Sequence, residues 1–373
     1  MNPGAISRSC RPFDPSALGF PGSYDPADVT FLLKPVTPPL LDVDAKEAAL
    51  QAGTRHYSEM LSPERPPAAD YLEAFHAAFA ANRARVGRDV ARLALALAER
   101  PGREVVLVSL ARAGTPVGVL LRRALVRLGR ACVHYSVSIV RDRGLDRVAV
   151  ETILAAHDAA DLVFIDGWTG KGVIAGELRA SLARDLPALS QAPLAVLSDL
   201  AGVATHAAGA EDYVIPSAVL NGVVSGLVSR TVLHPDLIGP GDFHGCLLLD
   251  HLAAHDLSRW YVDEQEHDVV QALEGAEPAR WPECRRADLA RQSQAFVTVM
   301  ARRTGGNPHH VKPGIGESTR ALLRRVPERL IVRDATAPDV RHLLALAETR
   351  GVPVEVEPDL PYLACVLIKS LGS

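Results

Sequence analysis

Apolar and polar positions follow two rhythms along this chain. After a Pro-, Gly- and Ser-rich opening over residues 1–27, residues 28–36 (DVTFLLKPV) read as a short strand ended by a Pro-broken turn at 37–39. A second Pro-rich break at 62–67 precedes a long helical pattern. Asp70 is placed to cap it, and Leu72, Phe75, Phe79, Leu93, Leu95 and Leu97 mark its apolar stripe. From residue 104 onward, short apolar runs alternate with amphipathic stretches. Strands are expected at 105–109, 132–140, 162–165, 194–198 and 213–215, with helices at 117–128, 148–157 and from about 173. Such alternation predicts a parallel sheet wrapped by helices, with ligands at the carboxyl ends of the strands.

The TGGNP run at 304–308 reads as a linker. Beyond it the βα rhythm resumes, with helices at 317–325 and 339–349 and strands at 330–332 and 354–356. The expected division is an irregular segment at 1–27, an α/β domain at 28–303 whose hood is formed by the N-terminal segment and residues 217–300, and a small α/β domain at 309–373. No internal repeat is visible.

Composition narrows the function classes. A formal net charge of −4 excludes a nucleic-acid-binding polycation as the description of the whole chain. No apolar run approaches the roughly 20 residues that cross a bilayer, and no secretory leader is visible, so the expectation is a cytoplasmic protein without a membrane partner. The five cysteines (Cys10, Cys132, Cys246, Cys284, Cys365) are scattered without a CxxC pair, which argues against a zinc ribbon or a disulfide framework. Lysine is scarce beside arginine, at positions 34, 46, 171, 312 and 369 only, and Lys171 and Lys312 fall in Gly-rich turns.

Those turns hold the candidate chemistry. In LVFIDGWTGKG (162–172) an apolar strand ends in Asp166, and a Gly-rich turn opens a helix. Backbone N–H groups and the helix N-terminus there can cradle a phosphate, with Thr169, Gly170, Lys171 and Gly172 as the binding set. Asp166 can hold a ribose or a hydrated Mg²⁺. A Walker loop is excluded, because it would need glycine at 165 and Ser or Thr at 172, where the chain has Ile165 and Gly172. A second turn, Arg112, Ala113, Gly114 and Thr115, follows the first strong strand. A third, RDRG at 141–144, is basic.

These turns resemble the loops of type I phosphoribosyltransferases. RHYSEML (55–61), FIDGWTGKG (164–172), LNGVVSGLVSRTV (220–232) and FHGCLLLDHLAAHDLSRWYVD (243–263) resemble the phosphoribosyltransferase family of tellurium-resistance and stress gene clusters, some members of which are labelled cysteine protease StiP. The resemblance spans nearly the whole chain. It implies a type I phosphoribosyltransferase-like sheet and a Mg²⁺-dependent, orotate-type glycosyltransferase of nucleotide metabolism. The ligand would be phosphoribosyl diphosphate or a nucleotide-like compound, and a homodimer is open.

In that reading Asp166, Arg141 and Arg143 are catalytic, with Asp166 as metal ligand. Residues 112–115 take the diphosphate, 169–172 the 5′-phosphate, and Asn221 and Ser225 the acceptor. The chain departs from the pattern in having one loop acid and Trp168 where purine-salvage enzymes keep a carboxylate. Residues 309–373 resemble a Pelota-like RNA-binding domain. Its turn here is Gly314, Gly316, Glu317 and Arg320, with Lys312, His309, His310, Arg324 and Arg325 nearby for RNA phosphates.

Two other readings stay open. One is an RNA-binding regulator that senses a nucleotide; the other is a cysteine hydrolase built on Cys246, which lies among His244, Asp250, His251, His255 and Asp256. A helical segment at 247–254 would put His251 and His255 on one face.

Overall fold

The structure is a computed structural model and describes residues 19–41 and 56–369. In chain order the N-terminal part holds β1 (Thr30–Phe31), β2 (Lys34–Pro35), α1 (Ala69–Ala98), β3 (Val105–Ala111), α2 (Gly114–Arg127), β4 (Cys132–Val140), β5 (Gly144–Leu145) and α3 (Arg147–Leu154). It continues with β6 (Leu162–Ile165), β7 (Trp168–Thr169), α4 (Val173–Asp185), β8 (Leu194–Asp199), β9 (His206–Gly209), β10 (Gly245–Cys246), α5 (Ser258–Leu273) and α6 (Glu283–Arg302). The C-terminal part holds β11 (Val311–Pro313), α7 (Ile315–Arg324), β12 (Pro327–Val332), α8 (Arg341–Thr349), β13 (Val354–Val356) and β14 (Ala364–Ile368).

The main sheet runs β1-β4-β3-β6-β8, with β7 and β9 also on β8 and all of these pairs parallel. β3 and β4 are buried nearly throughout because helices cover both faces. The chain order of the strands reverses between β3 and β6, which makes their carboxyl ends the crevice of the sheet. The coarse expectation of a mainly parallel α/β sheet with a small C-terminal α/β unit therefore describes this protein. That unit is a sheet in the order β11-β14-β12-β13, with β14 antiparallel to both neighbours.

Several elements differ from the sequence reading, each for a local reason. Asp70 does not cap α1; Ala68 occupies the N-cap position without a side-chain hydrogen bond, and Asp70 lies in the first turn, where its carboxylate still favours the helix N-terminus. Residues 213–215 form no strand. Their apolar pattern reflects burial, and the Tyr213 hydroxyl donates to Asp89 on α1 at 2.9 Å. The edge strand is instead His206–Gly209, whose small residues carry little strand signal. Residues 250–255 form a 3₁₀ turn, so His251 and His255 do not share an α-helical face. The TGGNP run is a tight cap on α6: Gly305 and Gly306 have positive φ, and Gly306 N–H donates to Ala301 O at 2.8 Å. β11, three residues ending in Pro313 before Gly314, carries little strand signal, and the apolar run of β14 (Ala364–Ile368) is a strand absent from the sequence reading.

The most consequential difference is at β6. Phe164 pairs with Leu194 and Trp168 with Ser198, so β7 continues β6 in one register along β8. Asp166 N–H donates to Ala195 O (3.1 Å) and Leu197 N–H to Gly167 O (3.0 Å), which bridges the interval. The expected loop after Ile165 is thus an extended strand as far as Thr169, and the chain turns only at 170–172.

Gly114 lets the β3–α2 turn lie against this strand, since a Cβ there would stand 2.3 Å from the Ile165 carbonyl oxygen. Gly176, within α4, has nothing within 4 Å of its Cβ position. The same substitution should therefore have opposite signs at the two sites. Urea titration should show Gly114→Ala losing about 1–3 kcal/mol through forced separation, and Gly176→Ala gaining up to about 1 kcal/mol through helix propensity.

Candidate functional site

At the carboxyl ends of β3 and β6 lies a cleft of about 230 Å³. Arg112, Arg141, Asp166, Trp168 and residues 169–172 line it from the sheet side, and Lys312, Glu317 and Arg320 from the C-terminal unit. The residues that the sequence assigned to two separate sites therefore meet in one.

Asp166 forms the floor. Gly167 N–H donates to its Oδ1 at 2.8 Å. Burial pushes its pKa up to about 6, against the pull of that N–H and of the Arg320 charge. A carboxyl titrating there can exchange a proton near neutral pH. Arg141 reaches the cleft with its Nε buried and without a hydrogen-bond partner among the described residues. Arg143 does not line it; it is exposed and paired with Glu59 at 2.9 Å. Arg112 pairs with Glu64 (2.6 Å) and donates to Asn221 Oδ1 (3.3 Å) and Val228 O (3.1 Å). The Ala111–Arg112 peptide bond is cis.

The other expected ligand groups are largely engaged within the fold. The Thr169 hydroxyl donates to buried Asp199 at 2.5 Å, and Thr115 shares a hydrogen bond with Ser136 at 2.8 Å. Lys171 Nζ donates to Pro308 O (2.5 Å) and Val311 O (2.9 Å), tying the turn to the C-terminal unit. Burial, and then the Lys312 charge, draws its pKa down to about 8. Gly172 takes a left-handed φ of 78° at the start of α4. Ala113 borders the cleft, while Asn221 and Ser225 line a small side lobe that shares Arg112 and Trp168. Beyond Arg112 the surface opens into a groove of about 980 Å³ walled by Leu61, Pro66, Tyr71, Leu220 and Leu252, among others.

On the tail side, Gly316 packs against the Trp168 indole, where a Cβ would stand 2.9 Å from Cε2. The Arg320 guanidinium sits 5.2 Å from the same ring's centroid. Gly314, at φ 84°, starts α7, and Asp212 accepts the next N–H, that of Ile315, at 2.7 Å. Sequence reasoning missed Asp212, whose other oxygen accepts from Leu363 N–H at 2.8 Å, and Glu64, the partner of Arg112. Neither sits in a motif. Asp166 and Glu317 are the two carboxylates on the cleft wall, and no group of three or more His, Cys, Asp and Glu placed to hold a metal occurs among the described residues.

The Cys/His crowding near Cys246 disperses in space. Cys246 is fully buried on β10, and burial pushes its thiol up to about 12. His244 faces Ser138 Oγ at 2.8 Å, and His251 faces Glu64 O at 2.9 Å. Cys132 and Cys365 are likewise pushed up to about 12, while Cys284 is exposed in the first turn of α6. No cysteine hydrogen-bonds a histidine among the described residues. Cys10 lies outside them.

Comparison with known proteins supplies what geometry does not. The family model described as tellurite-like stress resistance cysteine protease StiP matches residues 22–266, and that of the PELOTA RNA binding domain matches 291–370. A protein of Acinetobacter baylyi named "Cysteine protease StiP" is 41% identical over 366 residues, 95% of each chain. No solved structure matches.

These findings overturn phosphoribosyl transfer as the activity, and with it the glycosyltransferase and nucleotide-metabolism assignments. Nothing among them supports phosphoribosyl diphosphate as a partner. The motif misled because its Thr169 and Lys171 serve the fold, with Asp199 and the tail carbonyls as their partners. Matched along nearly its full length to that relative and over 22–266 to that model, the chain belongs to the StiP family and carries a Pelota-like domain.

Proposed function

We propose that this protein is a thiol-dependent hydrolase of amide bonds, with its substrate in the cleft and the adjoining groove. The observation that carries the reading is the 41% identity to a protein named as a cysteine protease, over 95% of both chains. The connected cavities support it, since Arg112 borders the cleft, the side lobe and the large groove, which together suit an extended substrate. Asp166 is the acid–base group within reach of such a substrate.

A thiol nucleophile must ionise or be paired with a base. Cys132, Cys246 and Cys365 are held protonated by burial, so the reading rests on Cys10 and on Cys284, which lines none of these cavities and would act on substrate extending to the start of α6. The test is hydrolysis of unfolded casein. Iodoacetamide should abolish it, Cys10→Ser or Cys284→Ser should reproduce the loss, and Cys246→Ser should leave it intact. Hydrolysis that survives iodoacetamide overturns the proposal. A loss confined to Cys246→Ser would move the chemistry to the buried thiol.

Asp166 gives a second check with a defined sign. Its folded pKa of about 6 lies above the ordinary carboxyl value of about 3.9, so folding favours the protonated form. That contribution is complete below pH ~4 and is lost as pH rises through about 6. Asparagine cannot ionise, so Asp166→Asn should match the wild type near pH ~4 and exceed it in stability above about 6, in urea titrations. The same variant should lower hydrolysis at least about tenfold, which corresponds to ~1.4 kcal/mol.

A second reading is favoured by the match to the PELOTA RNA binding domain: RNA binding by the tail. Contacts to RNA would be made through phosphates, and affinity would fall with salt at a log–log slope of about −0.7 per contact on single strands.

A further inference from the structure

Lys312 and Arg320 have no carboxylate within ion-pair distance among the described residues, and both face the cleft. Two arginines beside the small sheet are paired, whereas exposed Arg333 and Arg341 have no ion pair among the described residues either. Arg303 pairs with Glu355 and Glu357, and Arg329 with Glu328 and Glu355. Unpaired cations are what a phosphate backbone requires. Lys312 and Arg320 are the two enclosed by the docking of the unit on the sheet.

The seam that encloses them is specific. Lys171 holds the carbonyls of Pro308 and Val311, and Asp212 holds the N–H groups of Ile315 and Leu363. Gly170 and Gly316 allow close approach, to Glu317 and Trp168 respectively. Buried Ile315 and Leu200 add apolar contact from either side. The cleft wall is therefore incomplete without this unit, and docking leaves Lys312 and Arg320 half-buried and facing the cleft.

We infer that Lys312 and Arg320 form a shared anion site, serving either the cleft of the docked chain or the phosphates of RNA on an undocked tail, never both. RNA and a cleft-bound anion then oppose each other, and by linkage each weakens the other by the same factor. The inference rests on the RNA-binding reading of the tail and on no assumption about which thiol acts.

A reversible lock tests it on the full chain. A Cβ at position 170 would stand 2.6 Å from Glu317 Cγ, so Gly170→Cys with Glu317→Cys can close a disulfide across the seam. Binding of a short fluorescein-labelled single-stranded RNA is then followed by anisotropy at low salt. The oxidised form should bind about tenfold more weakly than the same protein reduced, within the range of ordinary coupling. Asp212→Ala, which releases two N–H anchors, should bind more tightly than the wild type, and Arg320→Ala added to it should remove that gain. Equal affinity of the oxidised and reduced forms overturns the inference and places RNA on the outer face, near exposed Arg333 and Arg341. Asp212→Ala binding no better than the wild type also overturns it, whether or not the disulfide variant folds. RNA binding absent from every form removes the RNA reading itself.

Discussion

Asp166, Trp168 and Lys171 are placed by one register, the shared alignment of β6 and β7 along β8. Backbone hydrogen bonds from Asp166 N–H and to Gly167 O keep that alignment through the residues between them. Were the chain to leave the sheet at Ile165, Asp166 would swing into solvent and its pKa would relax towards an ordinary carboxyl value. Held in the sheet, it becomes the half-buried floor of the cleft. Trp168 extends beyond it as the platform for Gly316 and Arg320, and Lys171 arrives where the tail carbonyls lie. The Asp199 carboxylate fixes the far end of the strand by accepting from Thr169 Oγ1, Trp281 Nε1 and the Val203 and Ala204 N–H groups.

The charges in the cleft follow from that placement. Four cationic side chains without a carboxylate partner among the described residues (Arg141, Lys171, Lys312, Arg320) face two carboxylates, Asp166 and Glu317. Arg112 is neutralised by Glu64 and acts more as a structural post between cleft and groove than as a free charge. Burial, and then neighbouring positive charge, lowers the Lys171 pKa, and the Lys312 pKa also falls mainly through burial. Both shifts report chiefly the desolvation of the two ammonium groups at the seam. A site of this kind favours an anionic group on whatever occupies it.

Much of this architecture was legible in the sequence. The apolar runs at 132–140 and 162–165 give β4 and β6 with their observed bounds, and the start of α4 at Val173 follows from the Gly-rich turn. Long, strongly patterned elements carry their own evidence because burial on both faces demands apolar side chains. What escaped was set by partners remote in sequence. β9 is a strand only because β8 lies beside it, and 213–215 is not one because α1 covers it instead. Asp212 looks like any loop acid until Ile315 and Leu363 present their N–H groups to it from more than a hundred residues away.

The functional reading failed at the same step. A strand, an acid, glycines, a threonine and a lysine in order state that a phosphate could be cradled, but the order does not say where those donors spend their hydrogen bonds. Thr169 turns inward to Asp199 and Lys171 across to the tail, so the motif ties the sheet to the C-terminal unit. The cysteines show the converse. Cys246 stands in the densest Cys/His neighbourhood of the sequence, yet β10 points its sulfur into the core, and its histidine neighbours bond to Ser138 and Glu64. Proximity along the chain created an apparent dyad that the strand pairing of β10 with β2 pulls apart. In both cases the residue types were the right ones for a chemistry, and the hydrogen-bond partners decided otherwise. Burial holds Cys132, Cys246 and Cys365 protonated, which sets them apart from Cys284 at the surface.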